Sequence, residues 1–447
     1  RHIVIWAQGK IWKIDVRTGE REQIPFRAKV EQTLTEPVRF TQDVAPDSFD
    51  VKMLRWVNVS PDGRRVVYNA LGKLWVKELP NGTPKRLTDD EDRFELYPTW
   101  SPDGRTIAYV TWNDEETGAV WTVRSDGKRR KRLTTKPGHY VEPSFSPDGK
   151  QVVYRRTGGD ALRGQLWGRD RGIYLVSADG GAPRLVTENG TRPRFNKAGD
   201  RIFLQAFEQG KRALVSVDLN GHHRFVHLTS DNATEIVPSP DERWVAIHER
   251  YKVHVAPFPK PGQTVAIGPN ASAYPMAQVS RDAGYNLHWS SDSKRLYWSL
   301  GPELFHRDLV ETFAWVGGEG VELKAAPEEE GLHIGFRADA YEPSGTIALV
   351  GARVITMRGD EVLENATVVV ERNRVTAVGP AAEVSVPRGA KVIDVAGKTI
   401  IPGIIDAHAH VRTGSSGITP QTHWAYYANL MFGVTTLHDP SSDTEMA

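Results

Sequence analysis

Three copies of one tetrapeptide constrain this chain more than any other feature: Ser60-Pro61-Asp62-Gly63, Ser101-Pro102-Asp103-Gly104 and Ser146-Pro147-Asp148-Gly149. Weaker copies begin at Asn196, Ser239 and Ser290, so the successive spacings are 41, 45, 50, 43 and 51 residues. The chemistry is that of a tight turn. Proline presets φ at the second position, aspartate bonds local backbone, and glycine relieves the exit. An apolar, β-branched or aromatic stretch follows each copy, such as Arg65–Tyr68, Thr106–Tyr109, Gln151–Tyr154 and Trp244–Ile247. A further strand follows, as in Lys73–Val76 and Ala119–Val123, and then a Leu-Thr or Val-Thr mark, as at Leu87-Thr88 and Leu133-Thr134. Short strands in fours, repeating every 40–50 residues, are the signature of a β-propeller.

The repeats resemble those of TolB-like propellers, and the reading assigns residues 1–335 to such a domain. Residues Ile3–Phe26 look like a blade without its first strand. With six turn-marked blades this predicts seven; six is the alternative. The missing strand is expected from upstream sequence or from Val321–Phe336. The segment Lys324–Gly331 (KAAPEEEG) has linker composition and is expected to lead out of the propeller. The 13 Trp and 13 Tyr suit radial sheets, where flat rings pack between blades.

A second feature carries chemistry. The run Thr399–His410 (TIIPGIIDAHAH) reads as a buried apolar strand ending in His-Ala-His. Residues i and i+2 of a strand share a face, with Cα atoms about 6.6 Å apart. Two imidazoles at that spacing, His408 and His410, can converge on one divalent ion. This run resembles the first barrel strand of the metal-dependent amidohydrolase superfamily, near its imidazolonepropionase-like and Xaa-Pro dipeptidase-like branches. Neighbouring segments agree. Thr346–Thr356 reads as a strand of that family's small β-sandwich, and Ala366–Gly379 as a hairpin turning at Arg372-Asn373. Val392–Lys398 leads into the barrel strand, and Gly433–Pro440 resembles the second.

The resemblance implies a mainly β chain: a propeller, a small β-sandwich over residues 336–400, and the start of a (β/α)₈ barrel over 401–447. It also implies hydrolysis of a C–N bond in an amide, dipeptide or cyclic amide. The metal would be zinc in the first instance, with manganese or iron open, one or two ions per site. His408 and His410 are the expected ligands. His438 and Asp439, at the end of the second strand, are expected to line a substrate pocket or orient a ligand, or else to hold the Pro440 turn as a structural pair. Asp406, two residues before His408, is expected to fix an imidazole tautomer or hold the barrel end. His423 is expected to be structural, and His222-His223, after Asn220-Gly221, an exposed turn.

Only 44 residues run from Ile404 to Ala447, whereas a whole barrel takes roughly 200–250. The family's later ligands and its catalytic base have no match here. The expected partners are therefore the rest of the barrel, on a second chain or a continuation, and a small-molecule or peptide substrate; a homo-oligomer stays open. The formal charge of +1 gives no electrostatic case for nucleic acid. The basic run Lys128–Arg132 reads as a solvated blade edge. No apolar run is long enough for a membrane span. Cysteine is absent, so redox compartment is not fixed. No signal peptide is visible, and a periplasmic or extracellular setting is implied by the resemblance alone. A second class of function, a propeller that binds protein or peptide beside an inactive barrel, is the alternative.

Overall fold

The computed structural model describes the chain outside residues 39–42, 44, 161, 166–167, 260–261, 270–273, 318–321, 325–326, 412–413, 415 and 441–447. The chain divides into two compact units, Arg1–Pro46 and Asp47–Ala447. The first is an antiparallel meander of three strands, His2–Ala7, Lys10–Asp15 and Arg21–Ile24.

The second unit contains six successive sheets, antiparallel except that Val265–Ala266 joins the fourth in parallel. The first joins Arg55–Val59, Arg65–Ala70, Lys73–Glu78 and Lys85–Arg86 in sequence order. The others begin at Phe94–Trp100, Tyr140–Phe145, Thr191–Phe195, Ala233–Pro238 and Tyr285–Trp289. We call them blades 1 to 6. Each turn between a blade's first two strands is built as its residues dictate. Ser101 Oγ donates to Asp103 Oδ1 at 2.6 Å and accepts the Thr106 N–H at 3.0 Å, while Gly104 takes φ +67°. Blade 4 replaces serine by Asn196, whose Oδ1 accepts the Arg201 N–H at 2.9 Å.

The core lies between blades. Val67, Leu74 and Leu87 of blade 1 pack on Trp100, Ile107 and Tyr109 of blade 2. Similar clusters join blades 2 and 3, 3 and 4, 4 and 5, and 5 and 6. A sixth joins Val57, Val59 and Tyr68 of blade 1 to Tyr297 and Leu304 of blade 6. The Val59 N–H also donates to His288 Nε2 at 3.0 Å, and Tyr68 Oη to the Ile334 carbonyl at 2.8 Å. The ring is thus closed by six blades, and the seven-blade expectation is corrected. Its physical cause is that blade 6 already packs directly on blade 1, while the meander of residues 2–24 belongs to the other unit. Leu332–His333 is the fourth strand of blade 6 itself, and Phe336–Asp339 pairs with Ser48–Val51. Val321 lies outside the described residues.

The expected linker is tied down where it is described. Arg307 donates to the Lys324 carbonyl at 2.8 Å and pairs with Glu328 at 2.8 Å. Residues 325–326 of that segment lie outside the described set. Within the basic run, Lys131–Arg132 is the outer strand of blade 2 as expected, but Arg130 is not simply solvated. It pairs with the buried Asp90 and lies 5.3 Å from the Trp121 ring.

Beyond the propeller, Thr346–Ile355, Val362–Glu371 and Arg374–Pro380 form an antiparallel array. Lys391–Asp394 and Thr399–Ile400 add to it in parallel. Its hairpin turns at Arg372-Asn373, where Arg372 has φ +53°. Ile404–Asp406 and Val434–Leu437 then pair in parallel, joined by the helix Trp424–Met431. This is one βαβ unit, and among the described residues no further strand joins its sheet.

Candidate functional site

Two places gather chemistry. The first is the edge of the βαβ unit. The strand ends at Asp406, so His408 and His410 sit in the turn beyond it rather than on the strand. They still converge, with ring centroids 5.0 Å apart at 74°. Both are exposed, while Ala409 between them is buried. The turn is fixed by backbone bonds across the pair of strands. The His438 N–H donates to the Asp406 carbonyl at 2.9 Å, and the Ala409 N–H to the His438 carbonyl at 2.9 Å.

The two carboxylates take different places. Asp406 Oδ1 accepts the His408 backbone N–H at 3.0 Å, so it holds the turn and not an imidazole. Asp439 stands nearer a ring: its Oδ1 lies 3.8 Å from His410 Nδ1, while Oδ2 accepts the Val411 N–H at 3.0 Å. The His438 Nδ1 donates to the Ala407 carbonyl at 3.1 Å, which fixes the orientation of that ring. Among the described residues no group of three or more His, Asp or Glu is placed to hold a metal ion. The edge therefore offers two imidazole donors and one nearby carboxylate, a partial set rather than a closed centre. His423 is buried at the helix N-cap, stacked on Tyr426 at 4.1 Å, which suits a structural role. His222 and His223 are exposed in a turn.

The second place is a cavity of about 560 Å³ in the propeller channel. Every blade contributes its first strand to the wall. Those strands break register with their neighbours. In five of them a non-glycine residue takes positive φ at the break: Trp56, Tyr97, Glu142, Arg192 and Asn286. An extra residue of this kind bends the strand and re-aims a side chain, here at the channel. Reading the sequence for turns missed these positions. A signal existed: Pro98, Pro143 and Pro193 each follow the displaced residue, and proline inside a strand marks a bulge or an edge.

The wall is ionic. Arg155 grips Glu142 with bonds of 2.7 and 2.8 Å, and the Arg192 N–H adds a third at 2.7 Å. Burial pushes the Glu142 carboxyl up, but Arg155 beside it prevails and holds it below the usual range. Arg192 pairs with Glu235 at 2.6 Å, and Arg194 approaches the same carboxylate at 3.9 Å. His288 is buried, and burial pushes its pKa down to about 4. Trp56 and Tyr97 stack at 4.1 Å and supply an apolar wall.

The loop after His410 reaches this channel. Gly417 lines it, and Tyr97 Oη donates to the Ser416 carbonyl at 2.5 Å. A Cβ at Gly417 would meet Trp56 Cζ2 at 2.5 Å, so glycine is required by the close approach. Ile418 is buried in the core of blades 2 and 3, and Asp114 accepts the backbone N–H groups of Gln421 and Thr422 at 2.8 and 2.6 Å.

Comparison with known proteins bears on the propeller. Residues 51–212 match the family described as the Tricorn protease N-terminal beta propeller domain. A Tricorn protease homolog of Saccharolobus solfataricus is 32% identical over 106 residues, which is 24% of this chain and 10% of that protein. An uncharacterized peptidase, YuxL, of Bacillus subtilis is 28% identical over 104 residues, covering 21% and 16% respectively. The uncharacterized protein Atu1656 of Agrobacterium fabrum is 30% identical over 132 residues, covering 28% and 43%. The chain thus spans less than half of each of these relatives. A solved structure of a putative TolB from Agrobacterium tumefaciens covers 57% of this chain and 90% of its own, at 18% identity and a TM-score of 0.44. The chain is a mainly β protein with a propeller similar to the Tricorn N-terminal one. The family model ends at residue 212, within blade 4.

Proposed function

We propose that the intact protein is a hydrolase of an amide-type C–N bond, in a dipeptide or cyclic amide, with the propeller selecting what reaches the bond. The observation that carries this reading is the convergence of His408 and His410 at the edge of two parallel strands, with Asp439 beside His410. The peptidase names of two propeller relatives agree with a hydrolase in the broad sense. In this reading the two imidazoles are part of a divalent-metal site, zinc foremost, completed by polypeptide beyond the described strands. A bound ion would supply an acidified water and a polarised carbonyl. What this chain's own residues do is hold the two donors. Asp406 and His438 lock the turn through its backbone, and Asp439, 3.8 Å from His410 Nδ1, would help to orient that ring. A periplasmic or extracellular setting belongs to the same proposal. Among the described residues no helix is long and apolar enough to cross a membrane.

The test is metal analysis and dipeptide hydrolysis of the full-length protein, with and without His408→Ala plus His410→Ala. Loss of metal and of hydrolysis together supports the reading. Equal metal content and equal turnover in both proteins overturns it. The second reading, a propeller that works as a binding module, is favoured by the ionic cavity and is separated by the same experiment: ligand binding without hydrolysis.

A further inference from the structure

The three-stranded meander of the smaller unit repeats the plan of blade 1. Aligned on Gly9 and Gly72, His2–Ala7 corresponds to Arg65–Ala70 and Lys10–Asp15 to Lys73–Glu78. The register is the same: Ala7 faces Lys10 as Ala70 faces Lys73, and Ile5 faces Trp12 as Tyr68 faces Trp75. The turn is the same: Gln8 and Gly9 take φ +53° and +68°, Leu71 and Gly72 +53° and +73°. A side-chain bond is shared as well. The Trp12 indole N–H donates to the Ala7 carbonyl at 3.3 Å, and that of Trp75 to the Ala70 carbonyl at 3.0 Å. The next strand pairs on the same tryptophan in both, Gln23 facing Trp12 and Arg86 facing Trp75. Burial separates the two copies. In blade 1, Val66, Val67 and Tyr68 are fully buried, Val66 and Tyr68 toward blade 6 and Val67 toward blade 2. Their counterparts Ile3, Val4 and Ile5 are 51%, 62% and 39% exposed.

We infer that this meander is strands two to four of a blade in a second β-propeller, whose first strand and flanking blades are polypeptide of the same chain ahead of Arg1. In each of the six blades, the strand on the inner side of the second one is the strand directly before it in the chain. The partner of His2–Ala7 therefore belongs immediately upstream. Among the described residues no strand pairs with that edge. Ile3–Trp6 carries neither charge nor proline, so nothing blunts the edge against pairing. Both faces are apolar: Ile3 and Ile5 project from one, Val4 and Trp6 from the other. An antiparallel sheet with one face in water alternates apolar and polar residues, whereas a blade meets a neighbour on each face. The six-bladed ring is closed by the seam between blades 6 and 1 and leaves no gap for this blade. The inference stands on this likeness and on the bare faces, not on the hydrolase reading.

The experiment is thiol labelling of the intact protein, with hydrogen exchange beside it. Residues 1–447 contain no cysteine, so Val4→Cys and Thr18→Cys each add a single thiol to this region. Both positions are exposed in the structure, and Thr18 lies in the turn at the outer end of the meander, which a blade leaves in water. A maleimide should modify Val4→Cys at least about tenfold more slowly than Thr18→Cys in the native protein, with the two rates converging in urea. Ile3→Cys, on the opposite face, should be protected alike and serves if the Val4 variant does not fold. In the unsubstituted protein the amides of His2–Ala7 should exchange as slowly as those of Arg65–Ala70. Fast exchange across His2–Ala7 overturns the inference. Slow exchange with both thiols labelled as fast as Thr18→Cys would mean a paired edge with bare faces, and overturns the second propeller. Protection that disappears on dilution would mean that a second copy fills the edge, and overturns the assignment to the same chain.

Discussion

At the scale of single residues, His288 ties its own neutrality to the closed ring. Both ring nitrogens are engaged, Nδ1 as donor to Asn286 and Nε2 as acceptor from Val59 across the seam between blades 6 and 1. A proton on Nε2 would face the Val59 N–H and break that bond. Burial holds the His288 pKa at about 4, and burial also brings His139 and His227 to about 4; Arg194 opposes protonation of His288 and Glu235 favours it. The unfolded value is about 6.5. For a histidine with a lowered folded pKa, the unfolded state takes up the proton first. The stabilising effect is therefore complete above about pH 6.5 and falls as pH drops toward 4. Each imidazole contributes on the order of 3 kcal/mol over that window. Thermal melts from pH 7.5 to 4 should show a steep decline, made shallower by His288→Gln, which can still accept the Val59 bond. A flat profile in the native protein would contradict the burial of these rings. The sequence gives no sign of this role, since a histidine's partners 229 positions away depend on ring closure.

At the scale of elements, the turn between a blade's first two strands was legible because its chemistry is local. Ser101, Asp103 and Gly104 bond within five residues of one another, so sequence spacing alone defines them. Ser101→Ala removes one donor bond and one acceptor bond from a buried hydroxyl. It should cost about 1–3 kcal/mol. Gly104→Ala meets no hard clash, the nearest atom being Pro61 Cδ at 3.6 Å, so its cost is the positive φ alone, about 1–2 kcal/mol. Urea unfolding of the two variants should therefore show similar shifts for different reasons, and Ser101→Thr should recover most of the first. The bulges of the inner strands were not legible in the same way. Trp56, Glu142 and Arg192 differ in every chemical property, and only their place beside the channel unites them. The His-Ala-His pair lies between these cases. Its spacing gave the convergence, but placed the imidazoles on a strand that in fact ends at Asp406.

At the scale of the whole molecule, the larger unit is finished at one end and bare at the other. Six apolar seams close the propeller between its own blades, and the seventh blade expected from Ile3–Phe26 falls in the other unit. That miscount came from reading strand composition, which is local, where blade number is set by how the last blade meets the first. The βαβ unit shows the opposite condition. Ile404 is 50% exposed, Ile405 67%, Met431 86% and Phe432 81%. In the barrel proposed above, strands bury both faces, so on that reading further strands would cover these side chains. Covering what is still exposed of Ile404 and Ile405 would stabilise the unit by roughly 2–4 kcal/mol. Ile418 is the exception, being buried between blades 2 and 3, and the N–H groups of Gln421 and Thr422 are bonded to Asp114. Hydrogen exchange of residues 1–447 should then show three levels. The blades exchange slowly. Residues 404–411 and the helix Trp424–Met431 exchange fast, because their apolar faces are open. Between them Gln421 and Thr422 remain slow, held by the propeller and not by the βαβ unit. Asp114→Ala should release those two amides while the blade amides stay protected. Uniformly slow exchange from Ile404 to Leu437 would mean that the bare face is covered in the monomer, and the case for additional barrel polypeptide would fall with it.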